Sequence, residues 1–309
     1  MYRVFSDSVD FVGFGSRAQL WQIQKGCIHL HIKTIDLNFQ NIPECVAAFL
    51  IDAPEGPILV ECGPSSSRPT LVAALAEHGI QPEQIKAVLV THIHLDHSGS
   101  VGWWAQQGAQ VYVHAQGAPH LIDPSKLLAS ATRIYGDRME TLWGDVPACP
   151  ADKVTAVEGD CTIHVAGLDI QCWESPGHAR HHYAFQIGKN LLCGDVAAVR
   201  LPYNDSKYLS VPAPPPEFDL EMWLSSLDKL EKLDVDTLYL THFGPTKRQG
   251  HFEELRERLP KITEFVGQRR SDDRDALVAA YYQWHQEELG WDKASFEAYE
   301  KANPLFMSI

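Results

Sequence analysis

Paired thiols are the first thing this chain lacks. It has seven cysteines, an odd count, and no two share a Cys-x-x-Cys spacing. That excludes a paired-thiolate zinc knuckle and gives no sign of a disulfide framework, so reduced, packed thiols are expected. No stretch approaches the roughly 18 uninterrupted apolar residues of a membrane-spanning helix. The opening "MYRVFSDSVDFVGFGSRAQL" has no basic start followed by an apolar run, so no signal peptide and a cytoplasmic location are expected. Positive charge is scarce: 26 Lys and Arg stand against 40 Asp and Glu, a formal net charge of −14. Surfaces that grip phosphate backbones need clustered Lys and Arg, so nucleic acid and membrane are not expected partners. There is no Gly-x-Ser-x-Gly elbow, and with it goes the serine nucleophile such an elbow presents.

What is present suits a folded enzyme-sized core. With 309 residues, 45% of them hydrophobic and 21% charged, the chain has room for one large domain or a core with an appendage. From Cys27 to about Glu61 short apolar runs read as strands: "CIHLHIKTIDL", "CVAAFLID" and "PILVEC", split by turn signals such as "DAPEGP". "SSSRPTLVAALAEHG" reads as a helix stopped by Gly79. "IKAVLV" and "QVYVHA" read as strands with a helix, "SVGWWAQQG", between them. Pro119 to Asp145 turns helical, with Leu127, Leu128, Ile134, Met139, Leu142 and Trp143 as candidate core contacts. Strands return in "CTIHVAG", "LDIQCWESPGH", "HHYAFQIG" and "NLLCGD". A Pro-rich loop, "VPAPPPEF", leads to the helix "DLEMWLSSLDKLEKL", and "VDTLYLTH" reads as the last strand. Beyond Gly250, Phe252, Leu255, Leu259, Ile262 and Val266 recur at helical spacing, and "ALVAAYYQWHQEELG" offers a second apolar face. Each half thus contains short apolar strands with helices, which fits two sheets face to face with helices outside, an α/β arrangement of four layers.

The chemistry concentrates in "IKAVLVTHIHLDHSGS", where an apolar run ends in His92, His94, Asp96 and His97. Residues two apart on an extended chain point the same way, so His92 and His94 can share one metal. Asp96 and His97 follow as the chain turns and can face a second cation. A weaker His-x-His, His29 and His31, has no following carboxylate and reads as a pair of strand residues. Three more ligand-type residues stand just past apolar strands: His178 in "ESPGHARHH", Asp195 in "LLCGD" and His242 in "LYLTHFGP". Strand ends along one sheet edge converge in space, so these can complete the site.

The ordered set "THIHLDH", "SPGH", "CGD" and "THFGP" resembles the metallo-β-lactamase-fold hydrolases, nearest their glyoxalase II-like and lactonase-like branches, over roughly residues 20 to 245. The resemblance implies a four-layer αββα sandwich, giving a catalytic domain over residues 1–248; the helical run beyond it, a C-terminal extension over 249–309, is open to capping the core, forming a lid or making a homodimer contact. It implies one cation on His92, His94 and His178, a second on Asp96, His97 and His242, and Asp195 bridging the two. Where family members often read Asp-Thr-Gly, "ECGP" stands here, so Glu61 takes the place of the usual Asp, with the expected task of orienting a ligand histidine. His181 and His182 are extra, open to pocket, outer-sphere or purely structural roles, and Cys193 is expected to be a packed thiol.

Imidazole and carboxylate donors without thiolate suit zinc, and also iron, manganese or cobalt; two divalent ions, Zn2+ first, are expected. Water activated between them suits hydrolysis of a small-molecule ester, thioester or lactone, with Asp195 bridging and Asp96 as a proton shuttle to the leaving group. Phosphodiesters and phosphotriesters are an alternative on the same site. So are iron-dependent oxidation of the persulfide dioxygenase kind and a non-catalytic metal-binding scaffold. Pocket walls are expected from the helical stretch His120 to Trp143 and from the loop Arg200 to Pro216, where Arg200 and Tyr203 are candidates to meet substrate.

Overall fold

The computed structural model describes residues 30–203, 206–214, 217–269, 273–289, 292–294 and 297. The first sheet holds β1 (Ile32–Asp36), β2 (Ala47–Ile51), β3 (Ile58–Val60), β4 (Ala87–Leu89), β5 (Gln110–His114) and β6 (Val154–Val157), side by side in chain order. The second holds β7 (Cys161–Val165), β8 (Leu168–Glu174), β9 (Tyr183–Ile187), β10 (Asn190–Gly194), β13 (Thr237–Leu240) and β14 (Gly244–Lys247), in the order β14-β13-β10-β9-β8-β7. Between β10 and β13 a separate hairpin, β11 (Val199–Tyr203) and β12 (Ser206–Ser210), leaves the sheet. In the first sheet β1–β2 and β2–β3 pair antiparallel and β3–β4, β4–β5 and β5–β6 parallel; in the second only β10–β13 is parallel.

Alternation along the strands explains the layers. In β2, Ala48 and Leu50 join the cluster under the helices, while Phe49 turns the other way and meets Tyr239 of β13 edge-on, with ring centroids 5.5 Å apart. The first helical layer comprises α1 (Arg68–Glu77), α2 (Leu95–Ser98), α3 (Val101–Gln106), α4 (Ala118–Ile122), α5 (Ser125–Tyr135) and α6 (Met139–Trp143). Leu71, Leu75 and Trp104 from this layer pack on Leu59, Val88 and Val111. The second layer is α7 (Leu220–Leu230) and α8 (His251–Gly267), which set Trp223, Leu227, Phe252, Leu255 and Leu259 against Leu191 and Leu238. The αββα sandwich expected from the sequence is therefore the fold, and a further helix, α9 (Arg274–Leu289), follows α8. Among the described residues no helix is long and apolar enough to cross a membrane.

Four local readings need correction. Ile134 is 49% exposed: the buried side of α5 is the stripe Leu127, Ala131 and Tyr135 at i, i+4 and i+8, and Ile134 lies off it. Val266, at the end of α8, is exposed for the same reason. The stretch from Arg200, read as a loop, forms the β11–β12 hairpin, its strand signal obscured by Pro202. Finally, β14 follows the expected last strand; "GPTK" carries no apolar alternation, and Pro245 is tolerated because this strand lies at the sheet edge. His31 is exposed just before β1, and His29 lies outside the described residues.

α8 is also tied to the chain beyond Asp195 by polar contacts. His251 is buried; its Nε2–H donates to the Ala197 carbonyl at 2.7 Å, and its Nδ1 accepts from Arg200 Nε–H at 3.0 Å. Arg200 also meets Glu254 Oε2 at 2.6 Å, so its guanidinium is committed to α8 and does not serve the substrate role expected of it. The side chain of Tyr203 lies outside the described residues. Burial, with the Arg200 charge added, lowers His251 to about 4. The native state therefore favours neutral His251, whereas the unfolded chain takes up its proton near the ordinary value of 6.5. Stability is intact above about pH 6.5 and is lost as pH falls toward 4, by about 3 kcal/mol from this one group. Urea unfolding of metal-free protein at about pH 7 and pH 4 is expected to show a loss about 3 kcal/mol larger in the native chain than in His251→Gln. Equal pH dependence in both would refute the assignment.

Candidate metal centre

The seven ligand-type residues foreseen in the sequence come together at one end of the sandwich, each carried there by the end of a secondary-structure element. His92 and His94 follow β4, and Asp96 and His97 sit in the one-turn helix α2. His178 follows β8 across the Ser175–Pro176–Gly177 turn, Asp195 follows β10, and His242 follows β13. Three overlapping groups have ligand atoms within 4.8 Å of one another: His92, His94 and His178; His92, His97 and Asp195; and Asp96, His97 and His242. All but His94 are buried or nearly so.

Hydrogen bonds on the outer ring nitrogens decide which nitrogen of each histidine is free. His178 Nδ1–H donates to the Pro212 carbonyl at 2.9 Å, and His242 Nδ1–H to the Cys45 carbonyl at 2.7 Å. His97 Nδ1–H donates to Glu61 Oε1 at 3.1 Å. Thr91 Oγ1 gives its own hydrogen to Glu61 at 2.5 Å and so accepts from His92 Nδ1–H at 3.0 Å. Four Nε2 lone pairs therefore face inward. His94 is turned the other way: its Nδ1 lies 2.9 Å from both His92 Nε2 and His178 Nε2. Its Nε2 lies 3.9 Å from Glu217 Oε2, so the proton belongs on Nε2, facing the carboxylate.

Asp195 spans the cluster. Its Oδ2 is 3.3 Å from His178 Nε2, and its Oδ1 is 3.4 Å from His97 Nε2 and 3.5 Å from His242 Nε2. Asp96 Oδ2 stands 3.3 Å from His242 Nε2 and 3.6 Å from His97 Nε2. Burial alone would raise both acids, yet His97 and the neighbouring imidazoles hold Asp195 well below its ordinary value and bring Asp96 to about 2. Conversely, burial opposes a charge on His97, but Asp195, Asp96 and Glu61 hold it well above its ordinary value. On the other side, burial and then the neighbouring imidazoles push His92 well down and bring His94 to about 3.

This donor set fits divalent cations. Three imidazole lone pairs converge at 2.9 Å with no proton to share among them, and Asp195 Oδ1 is buried without accepting a hydrogen bond. Buried polar atoms of that kind are rare unless something else satisfies them. Two anionic carboxylates among inward-facing nitrogens call for positive charge.

Around the cluster, Thr91, Thr241 and Glu217 escaped the sequence reading, while Glu61, His181, His182 and Cys193 were singled out there. Glu61, expected to orient one histidine, also accepts from Thr91 N–H at 3.3 Å and Thr241 Oγ1 at 3.5 Å, linking the ends of β4 and β13. His182 Nε2 accepts the Asp195 backbone N–H at 3.1 Å while its Nδ1–H donates to Ser175 Oγ at 2.9 Å, so it holds the Asp195 turn and is not a ligand. His181 Nε2 faces Glu217 Oε2 at 3.2 Å. Nothing in the spacing of "PPPEF" announced Glu217. Cys193 is a buried thiol, as expected. Tyr135, within the helical stretch expected to wall the pocket, has its phenol raised by burial and then by the Asp96 charge, within electrostatic reach of the site.

Two sheets, their flanking helices and a His/Asp cluster at one edge define a metal-binding αββα protein. A family model described as the metallo-beta-lactamase superfamily matches residues 44–242, and the chain belongs to that superfamily. A relative, the metallo-beta-lactamase fold-containing protein ST1585 of Sulfurisphaera tokodaii, is 26% identical over 225 residues, 72% of this chain and 81% of that one. The crystal structure of ST1585, an archaeal metallo-beta-lactamase superfamily protein, superposes with a TM-score of 0.65 at 21% identity, covering 89% of this chain and 96% of that chain. The metallo-beta-lactamase family protein TTHA1429 from Thermus thermophilus gives 0.60 at 23% identity, covering 84% and 93%. Both structural likenesses support the fold.

Proposed function

We propose that this protein is a hydrolase that uses two divalent cations, Zn2+ first among them, to cleave a carboxylic ester, thioester or lactone of a small molecule. His92, His94 and His178 would hold one cation, Asp96, His97 and His242 the other, with Asp195 shared. The observation that carries the reading is the stance of Asp195, whose two oxygens address different histidine groups 3.3–3.5 Å away. Two cations there would lower the pKa of a shared water toward about 7 and polarise the substrate carbonyl.

The chain's own part is to hold donors in place and to move a proton. Glu61 and Thr91 fix the His97 and His92 rings, so little reorganisation is left for binding. Asp96 is the more accessible of the two acids, with 12% of its side chain exposed against 4% for Asp195, so it is the group placed to return a proton to the leaving alkoxide or thiolate. Net negative charge and a carboxylate, Glu217, near the site favour carboxylic substrates over phosphoesters.

Element analysis of purified protein, with a panel of lactones, thioesters, aryl esters and phosphoesters, tests this. The expected result is two cations per chain and turnover of carboxylic substrates that a chelator abolishes and Zn2+ restores. Turnover of phosphoesters alone would overturn the substrate class. Iron with thiol-dependent oxygen uptake would replace hydrolysis by oxidation, and no turnover after metal loading would leave a binding protein.

A further inference from the structure

Of the five histidines at the cluster, four have the outer ring nitrogen hydrogen-bonded: His92 to Thr91, His97 to Glu61, His178 to Pro212 and His242 to Cys45. His94 is the exception. Its outer nitrogen, Nε2, faces Glu217 Oε2 at 3.9 Å, about 1 Å too far for a hydrogen bond. That same oxygen is buried and accepts no hydrogen bond of ordinary geometry, although His181 Nε2 stands 3.2 Å away. A buried carboxylate oxygen between two imidazoles, paired with His181 at 3.2 Å and short of His94, has acceptor capacity left for the His94 N–H.

The backbone explains how Glu217 comes to be there. Before it, the Pro212 carbonyl accepts His178 Nδ1–H; after it, Asp219 N–H donates to the Gly177 carbonyl at 2.8 Å. Asp219 then caps α7, its side chain accepting from Met222 N–H. One segment thus reaches across the His178 turn and is pinned on both sides of Glu217. His181 Nε2, 3.2 Å from Oε2, holds the carboxylate over the site.

We propose that Glu217 is the positioning residue of His94: its Oε2 accepts the His94 Nε2–H when the cation of the His92, His94 and His178 group is bound, fixing Nδ1 as the donor. This rests on the two-cation reading above. Outer partners of ligand histidines set ring orientation and donor strength, and their loss typically weakens metal affinity by about 10–100-fold.

Zn2+ titration of metal-free protein against a chromophoric chelator resolves the two binding events, and His178→Ala identifies which belongs to the first group. Glu217→Ala is expected to weaken that event by about 10–100-fold and leave the other within about twofold. Glu217→Gln keeps an acceptor oxygen and is expected to recover most of the loss. His181→Ala, which leaves Glu217 without its second partner, is expected to weaken the same event by a smaller factor, and serves if Glu217→Ala does not fold. Unchanged affinity in Glu217→Ala, or equal weakening of both events, overturns the assignment. A native chain that binds no pair of cations brings down the functional reading itself, an outcome visible before any variant is made.

Discussion

Asp195→Ala is expected to lose at least one of the two cations and to lower hydrolysis by more than the roughly 100-fold that losing an outer partner costs. The side chain is almost fully buried, and its two oxygens contact histidines from both groups. Removing it takes away an anion shared between the two histidine groups, so the cluster loses a bridging donor and its charge balance together. Asp195→Asn separates the two losses, since it keeps an oxygen donor but no charge. Element analysis and turnover measured on the same preparation provide the check. An Asp195→Ala protein with two tightly held cations and native turnover would mean that the hydrolytic reading is wrong.

The second large effect belongs to a residue with no side chain. Gly194 has φ +50, and a Cβ built on it would stand 2.3 Å from Thr91 Oγ1 and 2.7 Å from His182 Nε2. Those two groups orient His92 and hold the Asp195 N–H. Gly194→Ala must therefore adopt a left-handed conformation and displace Thr91 or His182. Together these cost about 2–5 kcal/mol. Chemical unfolding is expected to show that loss, with weaker metal binding because both neighbours serve the site. Gly188→Ala is the control: it also has positive φ, at +58, but open space around its Cβ, so only the conformational cost should remain. If the two variants prove equally stable, the close approach of Gly194 to Thr91 does not matter energetically.

The residues that gather at the cluster were legible in the sequence as a set, because they fall just past apolar strands whose ends share one sheet edge. Two apolar strand runs leading to "THIHLDH" and "CGD" carry their own geometry: alternation buries the strand, and its end must emerge at the sheet edge. The αββα layering followed from the same runs. Elements with weak periodicity were harder to read, such as β14 with its Gly and Pro, or Ile134, whose fate depended on how wide a stripe α5 buries.

The amino-acid sequence by itself determined the donor types, their attachment to strand ends and the layered fold, because these follow from local spacing and hydrophobic alternation. Only the tertiary structure decided which nitrogen of each ring faces inward, that Arg200 is turned to α8, that His182 holds the Asp195 backbone, and that Glu217 stands beside His94 and His181. Those outcomes depend on contacts between segments tens to hundreds of residues apart, as with His242 and Cys45 or His94 and Glu217, and local spacing carries no record of distances set by folding.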